Sequence, residues 1–520
     1  MALNVALRLL AAFALTWRGA LGDLPVHCLH HQVEGEWTFV LGPPSEHRSS
    51  CGHLNPDRED AQPPRSLVDG NGTTTEHFLL KSPNVAVHTS RGSTGTWTMV
   101  YDEGFEVKLN DRRFFAFSNF TFEKDSSTGK LGNVSHCGST MVGWYSNDKR
   151  TQFGCYYGYK GKEEEQSSTD SGSQPQNQSS GVADHKVDHE AMSQKVSALN
   201  AKLNLLQLPW KAQVMDRWLG KSRAELNSLA GLQRRTPMRD LQGERLAHSP
   251  TVHRRTRSFL QRPRLPTTWD WSNLTSDQNF LEPVMDQGDC GSCYAASSMR
   301  MLTARHKIAQ KDPDILPWSI GLPLFCGEYN QGCKGGFPFL MAKWSSELGL
   351  LPATCLRYDT GGKCKLECDL ANISGKRYKA ANHRYVGSFY GNSSTEEIML
   401  ELYEHGPLVL SFEPQEDFMY YSEGVYRSTP EGSKAKSPSP SQEWTRVDHA
   451  VLLVGYGEDN GTKYWKLQNS WGPDWGEDGF FRMLRGEDES GIESSAEAAD
   501  VVEDEQDGQQ LKAFFDARPQ

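Results

Sequence analysis

The chain of 520 residues lacks any long apolar run. Its mean hydropathy of −0.63 argues against a polytopic membrane protein, whose helices each need about 20 consecutive apolar residues. It also lacks an excess of positive charge: 55 Lys+Arg face 66 Asp+Glu, a formal net charge of −11. That balance argues against a nucleic-acid binder held by phosphate contacts. A zinc-ligand set is missing too, because Cys290 and Cys293 form one Cys-x-x-Cys with no second pair and no His pair at zinc spacing. Hydrophobic residues make up 37%, low but enough for sizeable cores, and the length implies two or three folded units.

What is present places the chain in the secretory pathway. Residues 6–17 are apolar except for Arg8 and Thr16, too short to span a bilayer, and Ala20-Leu21-Gly22 is a small-x-small triplet. Residues 1–22 therefore read as a signal peptide whose removal exposes Asp23. Asn-x-Ser/Thr sequons start at Asn71, Asn119, Asn133, Asn177, Asn273, Asn372, Asn392 and Asn460. The eleven cysteines are an odd number, so in an oxidising compartment at least one thiol stays unpaired within the chain. The destination is a lysosome or vacuole, a secretory granule or the exterior.

Composition divides the remainder. Residues 23–160 hold short β-like runs such as Glu36-Trp37-Thr38-Phe39-Val40 and Phe105-Glu106-Val107-Lys108-Leu109, punctuated by turns such as Asn110-Asp111. They predict an antiparallel β-sandwich or barrel. Residues 161–189 are Ser, Gln, Gly and Glu rich and read as a linker. Residues 191–232 carry the helical stripe Val196, Leu199, Leu203, Leu206, and residues 234–264 are rich in Arg and Pro, an exposed cleavage region. A globular unit follows over 265–500, with a second polar insert at 428–441 that includes Lys434 and Lys436, and residues 501–520 read as a loose acidic tail.

The chemistry centres on Cys-Gly-Ser-Cys-Tyr at residues 290–294, with His449 and Asn469 lying 156 and 176 residues after Cys293. The thiolate, not the thiol, is the nucleophile, and a helix N-terminus plus an imidazolium favours it. The run after Cys293 predicts a helix with the cysteine in its first turn. His449 then serves as general acid towards the leaving amine, Asn469 orients the imidazole, and Gln287, with the Cys293 backbone N–H, donates to the oxyanion.

These residues resemble the signature of papain-like cysteine peptidases. So do Leu265-Pro266-Thr267-Thr268-Trp269, Gly332-Cys333-Lys334-Gly335-Gly336-Phe337-Pro338 and Gly455-Tyr456-Gly457. The N-terminal part, with Cys28, Gly35-Glu36-Trp37 and Gly104-Phe105-Glu106-Val107, resembles the cathepsin C (dipeptidyl peptidase I) branch of that family. The resemblance implies an α+β fold: a two-lobed papain-like catalytic domain at 265–500 with an N-terminal antiparallel β-barrel exclusion domain at 23–160. It implies that 161–264 is linker and activation propeptide, with a heavy chain to about 430 and a light chain from about 441.

The activity implied is that of a cysteine dipeptidyl aminopeptidase, made as a zymogen, acting on peptides and proteins with free N-termini. The carboxylate of Asp23 would hold the substrate's ammonium. Gly335 and Gly336 would let the substrate backbone approach. Pro338 would line, and Ser495 floor, the pocket for the second residue counted back from the cut. The implied disulfides are Cys28–Cys137, Cys51–Cys155, Cys290–Cys333, Cys326–Cys364 and Cys355–Cys368, which leave Cys293 free. No essential cofactor is implied. A chloride beside Tyr385, Phe337 and Phe339 is part of the family pattern, although Phe339 stands where the family has a tyrosine. A homotetramer is implied as well. Two rival readings are a papain-like endopeptidase with an unrelated β domain, and an inactive protease fold that binds a partner.

Overall fold

The computed structural model describes residues 26–53, 62–124, 131–161, 186–222, 225, 226, 229, 264–273, 279–359, 362–373, 375–429 and 449–517. Asp23, the signal segment, most of the linker and of the Arg-rich region, and Lys434 and Lys436 lie outside the described residues.

The first unit is a β-barrel. Its strands are β1 (Gly35–Leu41), β2 (Thr74–Lys81), β3 (Val85–His88), β4 (Thr94–Val100), β5 (Gly104–Leu109), β6 (Arg112–Lys124), β7 (Leu131–Thr140), β8 (Gly143–Asn147) and β9 (Phe153–Lys160). Each neighbour pairs antiparallel, and the pairings β6–β8, β8–β9 and β9–β1 close eight of them into a ring, while β7 pairs with the second half of β6 and meets β9 at Ser139 and Tyr159. Closure removes the sheet edges that would otherwise invite aggregation. Period-two patterning drives it: Trp37, Phe39 and Leu41 of β1 all point inwards, where Phe39 meets Phe78, Phe114 and Tyr156. Asn110 and Asp111 join β5 to β6 with φ of 52° and 58°, the conformation that a two-residue hairpin turn requires. Asn119 sits in β6 only 4% exposed, its side chain accepting from the Phe120 N–H, so this sequon is not a surface acceptor.

The second unit is two-lobed. A sheet runs β10 (Trp210–Ala212), β14 (Tyr421–Tyr426), β17 (Phe480–Leu484), β16 (Thr462–Gln468), β15 (His449–Asp459), β13 (Leu408–Phe412), β18 (Ser495–Glu503) and β12 (Tyr378–Tyr385), with β11 (Trp269–Asp270) paired to β15. Against it lies the long buried helix Cys293–Gln310. Its Ala, Met and Leu content favours helix, and burial is nearly continuous from Cys293 to Lys307, as expected of a helix covered on every side. The helix Pro338–Leu348 begins on a proline, whose fixed φ suits the first turn.

The segment before the catalytic unit is not one long helix. A helix covers His189–Leu205, and the chain then turns into strand β10 and a short turn at Asp216–Trp218, both docked on the sheet. Nor are residues 501–517 a loose tail. Strand β18 runs to Glu503, and the helix Gln509–Asp516 buries Leu511 while Phe514 meets Trp344 edge-on at 5.7 Å.

Barrel and helical lobe share one apolar core, in which Tyr329 packs edge-on against Phe115 and Trp144. Within it Arg48 of the barrel pairs with Glu328 and Glu347 of the lobe, and Lys343 holds Glu347 at 2.6 Å. All of these side chains are almost fully buried.

Candidate active site

Each reactive side chain stands at the end of an element. Cys293 is the first residue of its helix, so the positive end of the backbone dipole points at the sulfur. His449 is the first residue of β15, and Asn469 directly follows β16, which pairs with β15. The Ala450 N–H donates to Cys293 Sγ at 3.5 Å, placing the sulfur against the start of β15. The five disulfides are Cys28–Cys137, Cys51–Cys155, Cys290–Cys333, Cys326–Cys364 and Cys355–Cys368, and Cys293 is in none of them.

His449 Nε2 lies 2.8 Å from Asn469 Oδ1. The same oxygen accepts the Ser470 N–H at 2.8 Å, which fixes which amide atom faces the ring. An oxygen there can only accept, so Nε2 carries the proton. Trp471 stacks on the imidazole at 4.7 Å and shields that hydrogen bond from water.

Gln287 is wholly buried and held on three sides. Its Oε1 accepts from Ser470 Oγ at 2.6 Å, its backbone N–H donates to the Ser470 carbonyl, and its carbonyl accepts from Tyr358 Oη at 2.6 Å. Burial pushes the Tyr358 phenol up to about 12, keeping its proton in place. The Gln287 Nε2 group donates to the Cys290 and Leu229 carbonyls, both at 2.8 Å. Leu229 belongs to the segment before the catalytic unit, so a carbonyl of the chain itself sits on the predicted oxyanion donor.

That segment is anchored along its course. Trp218 is fully buried, donates Nε1–H to the Met419 carbonyl at 2.9 Å and meets Trp471 edge-on at 5.7 Å. Arg217 grips Asp286 with one amino group at 2.9 and 3.0 Å, and Lys221 pairs with Asp289. Cys293, His449 and Gln287 are each 0% exposed beneath this cover.

The predicted substrate residues gather nearby. Gly335, with φ of 130°, and Gly336 follow the Gly332–Lys334 turn, and a Cβ on Gly336 would meet Asn330 Oδ1 at 2.5 Å and Tyr294 at 2.6 Å. Pro338 starts its helix two residues on. Ser495 starts β18 and pairs with Ser411 of β13, whose neighbour Ala450 contacts the sulfur. Phe339 lies flat on Tyr385 at 4.8 Å, and Phe337 packs on Tyr101 of the barrel at 4.3 Å. Tyr101 follows β4, and its hydroxyl donates to Glu497 at 2.8 Å.

Sequence reasoning missed four residues here. Trp471 was visible beside Asn469, but shielding is a through-space property. Ser470 and Tyr358 act by orienting Gln287. Glu497 lies two positions beyond Ser495, and strand alternation could have placed it on the same face.

Comparison with known proteins agrees with this assembly. Residues 265–499 match the papain family cysteine protease domain, and residues 23–160 match the cathepsin C exclusion domain. The chain is 29% identical over 506 residues to cathepsin C of Schistosoma mansoni, covering 92% of this chain and 95% of that one. It is 33% identical to the cathepsin B-like CP2 of Giardia intestinalis, covering 58% of this chain and 93% of that one. It is 24% identical to dipeptidyl aminopeptidase 1 of Plasmodium falciparum, over 92% of this chain and 93% of that one. The chain belongs to the papain family of cysteine proteases and carries the cathepsin C exclusion domain.

Proposed function

We propose that this chain is the precursor of a dipeptidyl aminopeptidase that releases dipeptides from free N-termini. The observation that carries the reading is the seating of one barrel turn against the substrate segment. Tyr101, between β4 and β5, touches both Phe337 and Glu497 of the catalytic unit. The same turn holds the start of the described chain: the Cys28 N–H donates to the Asp102 carbonyl at 2.7 Å, and His27 Nδ1 meets the Asp102 carboxylate at 2.8 Å. Asp23 is four residues before His27, and four residues reach at most about 14 Å. An acidic anchor there would match the substrate's ammonium, which is costly to bury unpaired.

The steps follow from the side chains. The Cys293 sulfur anion attacks the carbonyl carbon of the second residue, forming a C–S bond and an oxyanion. Gln287 Nε2 and the Cys293 N–H donate to that oxygen, as Gln287 does to the Leu229 carbonyl here. His449 gives its proton to the amine as the C–N bond breaks, leaving a thioester. A water molecule then loses its proton to His449 and attacks the thioester, the C–S bond breaks, and the dipeptide acid departs. Asn469 keeps the imidazole in one orientation throughout.

Complete burial of Cys293, with Leu229 on the oxyanion donor, supports synthesis as a zymogen whose segment 161–264 is excised. A further cut near Lys434 or Lys436 would give heavy and light chains. Peptide substrates, a lysosomal or secreted location and assembly as a homotetramer complete the reading, and sedimentation of the activated protein tests the last. Among the described residues no helix is long and apolar enough to cross a membrane.

The decisive experiment compares a dipeptide reporter with a free amine and its N-acetylated form, in the activated wild type and in Asp23→Ala. Cleavage of the free form alone, lost in the variant, is expected. Equal cleavage of the acetylated form would make the protein an endopeptidase.

A further inference from the structure

One tyrosine is hydrogen-bonded to both ends of the loop that carries the oxyanion donors. The loop runs from Gln287, whose side chain is one donor, to the Ser292–Cys293 peptide, whose N–H is the other. Tyr358 Oη lies 2.6 Å from the Gln287 carbonyl oxygen and 2.7 Å from Ser292 Oγ. A carbonyl can only accept, so the phenol proton points at Gln287, and Ser292 must donate its own proton to the phenol oxygen. The other acceptor near Ser292 Oγ, the Cys290 carbonyl, is 3.5 Å away, at the limit of a hydrogen bond. The result is a directed chain from the Ser292 hydroxyl to the Tyr358 hydroxyl to the Gln287 carbonyl, at distances normal for strong O–H···O bonds. Gln287 and Ser292 are both 0% exposed, so water does not compete for these atoms.

Ser292 occupies the position before the Cys293–Gln310 helix, where a serine oxygen ordinarily accepts an N–H of the first turn. Here its side chain makes no such cap. A serine oxygen on those N–H groups would compete with the sulfur and the oxyanion for the positive end of the helix. Tyr358 draws the hydroxyl the other way. The tyrosine comes from a separate loop that is itself fixed. Cys355 and Cys368 close that loop, the Glu367 N–H donates to the Cys355 carbonyl at 2.8 Å, and the buried Ser319 hydroxyl holds the Leu356 carbonyl. Ser470 also fixes Gln287, through its side-chain oxygen and its backbone N–H, but Ser470 makes no bond to Ser292.

We propose that Tyr358 is a positioning residue of the oxyanion site that sets both donors through one hydroxyl: the Gln287 amide through the Gln287 carbonyl, and the Cys293 N–H through Ser292. The inference rests on the thiolate mechanism above and not on the release of dipeptides. An oxyanion site works because its donors are aimed before charge develops, and it loses value when they must be reoriented during the reaction. A phenylalanine at 358 would remove the donor from the Gln287 carbonyl and free the Ser292 hydroxyl to turn back onto the helix. In this role the phenol acts through the loop and not on the substrate.

The test uses the full chain after activation, with a free-amine dipeptide reporter, or its N-acetylated form if that is the one the wild type cleaves. Rates are expressed per site titrated with a thiol-directed epoxide, so that misfolded protein does not count. Tyr358→Phe keeps the ring and removes the hydroxyl. It is expected to lower kcat by about tenfold with KM within about twofold of wild type, a smaller loss than that of an oxyanion donor itself. In a Gln287→Ala background, where one donor is already gone, Tyr358→Phe should still lower kcat by about threefold, because the same hydroxyl sets the Cys293 N–H. Ser292→Ala should lower kcat in the wild type and change nothing further in Tyr358→Phe. An unchanged kcat in Tyr358→Phe, or a rise in KM at constant kcat, would overturn the proposal. No further loss in the Gln287→Ala background would overturn the assignment of both donors to one hydroxyl. A wild type that neither cleaves a reporter nor takes up the epoxide would overturn the thiolate mechanism, and this proposal with it.

Discussion

Trp218→Ala in the full-length precursor should unmask the nucleophile. Cys293 is 0% exposed, so a thiol-directed epoxide can reach it only when the covering segment lifts. Trp218 is the largest buried anchor of that segment, and its ring meets Trp471, which covers the His449–Asn469 pair. Removing a buried tryptophan costs about 3–5 kcal/mol. The lower end applies here, because the Met419 carbonyl keeps a second donor in Trp475 Nε1 at 3.3 Å and is not stranded. About 3 kcal/mol raises the open fraction by on the order of 10²-fold. If lifting and closing are fast relative to labelling, the labelling rate rises by that same factor. Mass spectrometry of Cys293 after timed exposure reads the rate, and Trp218→Phe, which keeps most of the ring contact, should rise by less than about tenfold. Arg217→Ala should matter less, since Asp286 and Asp474 are half exposed or more and such pairs contribute about 1 kcal/mol or less. An unchanged labelling rate in Trp218→Ala would refute the view that this segment gates the site.

Other perturbations probe the remaining parts. Asn469→Ala should lower kcat by on the order of 10²-fold with KM nearly unchanged, because the imidazole loses its orientation and not the substrate its pocket. Glu347→Gln should destabilise the barrel–lobe junction by about 3–5 kcal/mol in denaturant unfolding, since it leaves buried Arg48 and Lys343 short of a partner. The Lys343, Arg48 and Arg150 cations hold the Glu347 carboxyl well below the ordinary carboxylate range despite its burial. Its stabilising share is therefore present above the ordinary value near 4.5 and declines as pH falls through and below it, and the stability gap between wild type and Glu347→Gln should narrow in acid. Glu497 has the opposite sign: burial, opposed by hydrogen bonds from Tyr101, Ser495 and the Phe339 backbone, raises it to about 7. The groups facing it are the Tyr101 and Tyr385 phenols, neither of which ionises below pH 8. Glu497→Gln should thus leave stability unchanged below pH 4.5 and increase it above pH 7 in denaturant unfolding.

What the sequence makes legible is local in the chain. Cys-Gly-Ser-Cys-Tyr announces its nucleophile because the residues that shape a helix N-terminus around a cysteine are contiguous. The β-like runs of the barrel show through because inward residues alternate along one strand, as Trp37, Phe39 and Leu41 do. The C-terminal helix is hidden in the sequence because the acidic residues around it mask the spacing of Leu511, Phe514 and Phe515, whose apolar face docks beside Trp344. The break after Leu205 was masked by the run of leucines that precedes it. Contacts between distant segments leave no local trace at all: Leu229 on Gln287, Arg48 on Glu347 and Tyr101 on Glu497 join residues 58, 299 and 396 positions apart.

Those three long-range contacts have one consequence in common. Each ties a segment outside the catalytic unit to a residue that the chemistry or its scaffold uses. A barrel attached only by a linker could drift, and a drifting wall excludes nothing. Here the barrel shares an apolar core with the helical lobe, and buried charges cross the junction in Arg48–Glu328 and Arg48–Glu347. Buried pairs of this kind contribute less to stability than to uniqueness, because any other docking would strand a charge. The turn at Tyr101–Glu103 is consequently held in one position relative to Phe337 and Glu497. A fixed wall is what allows a protease cleft, open at both ends by default, to measure two residues from a free amine.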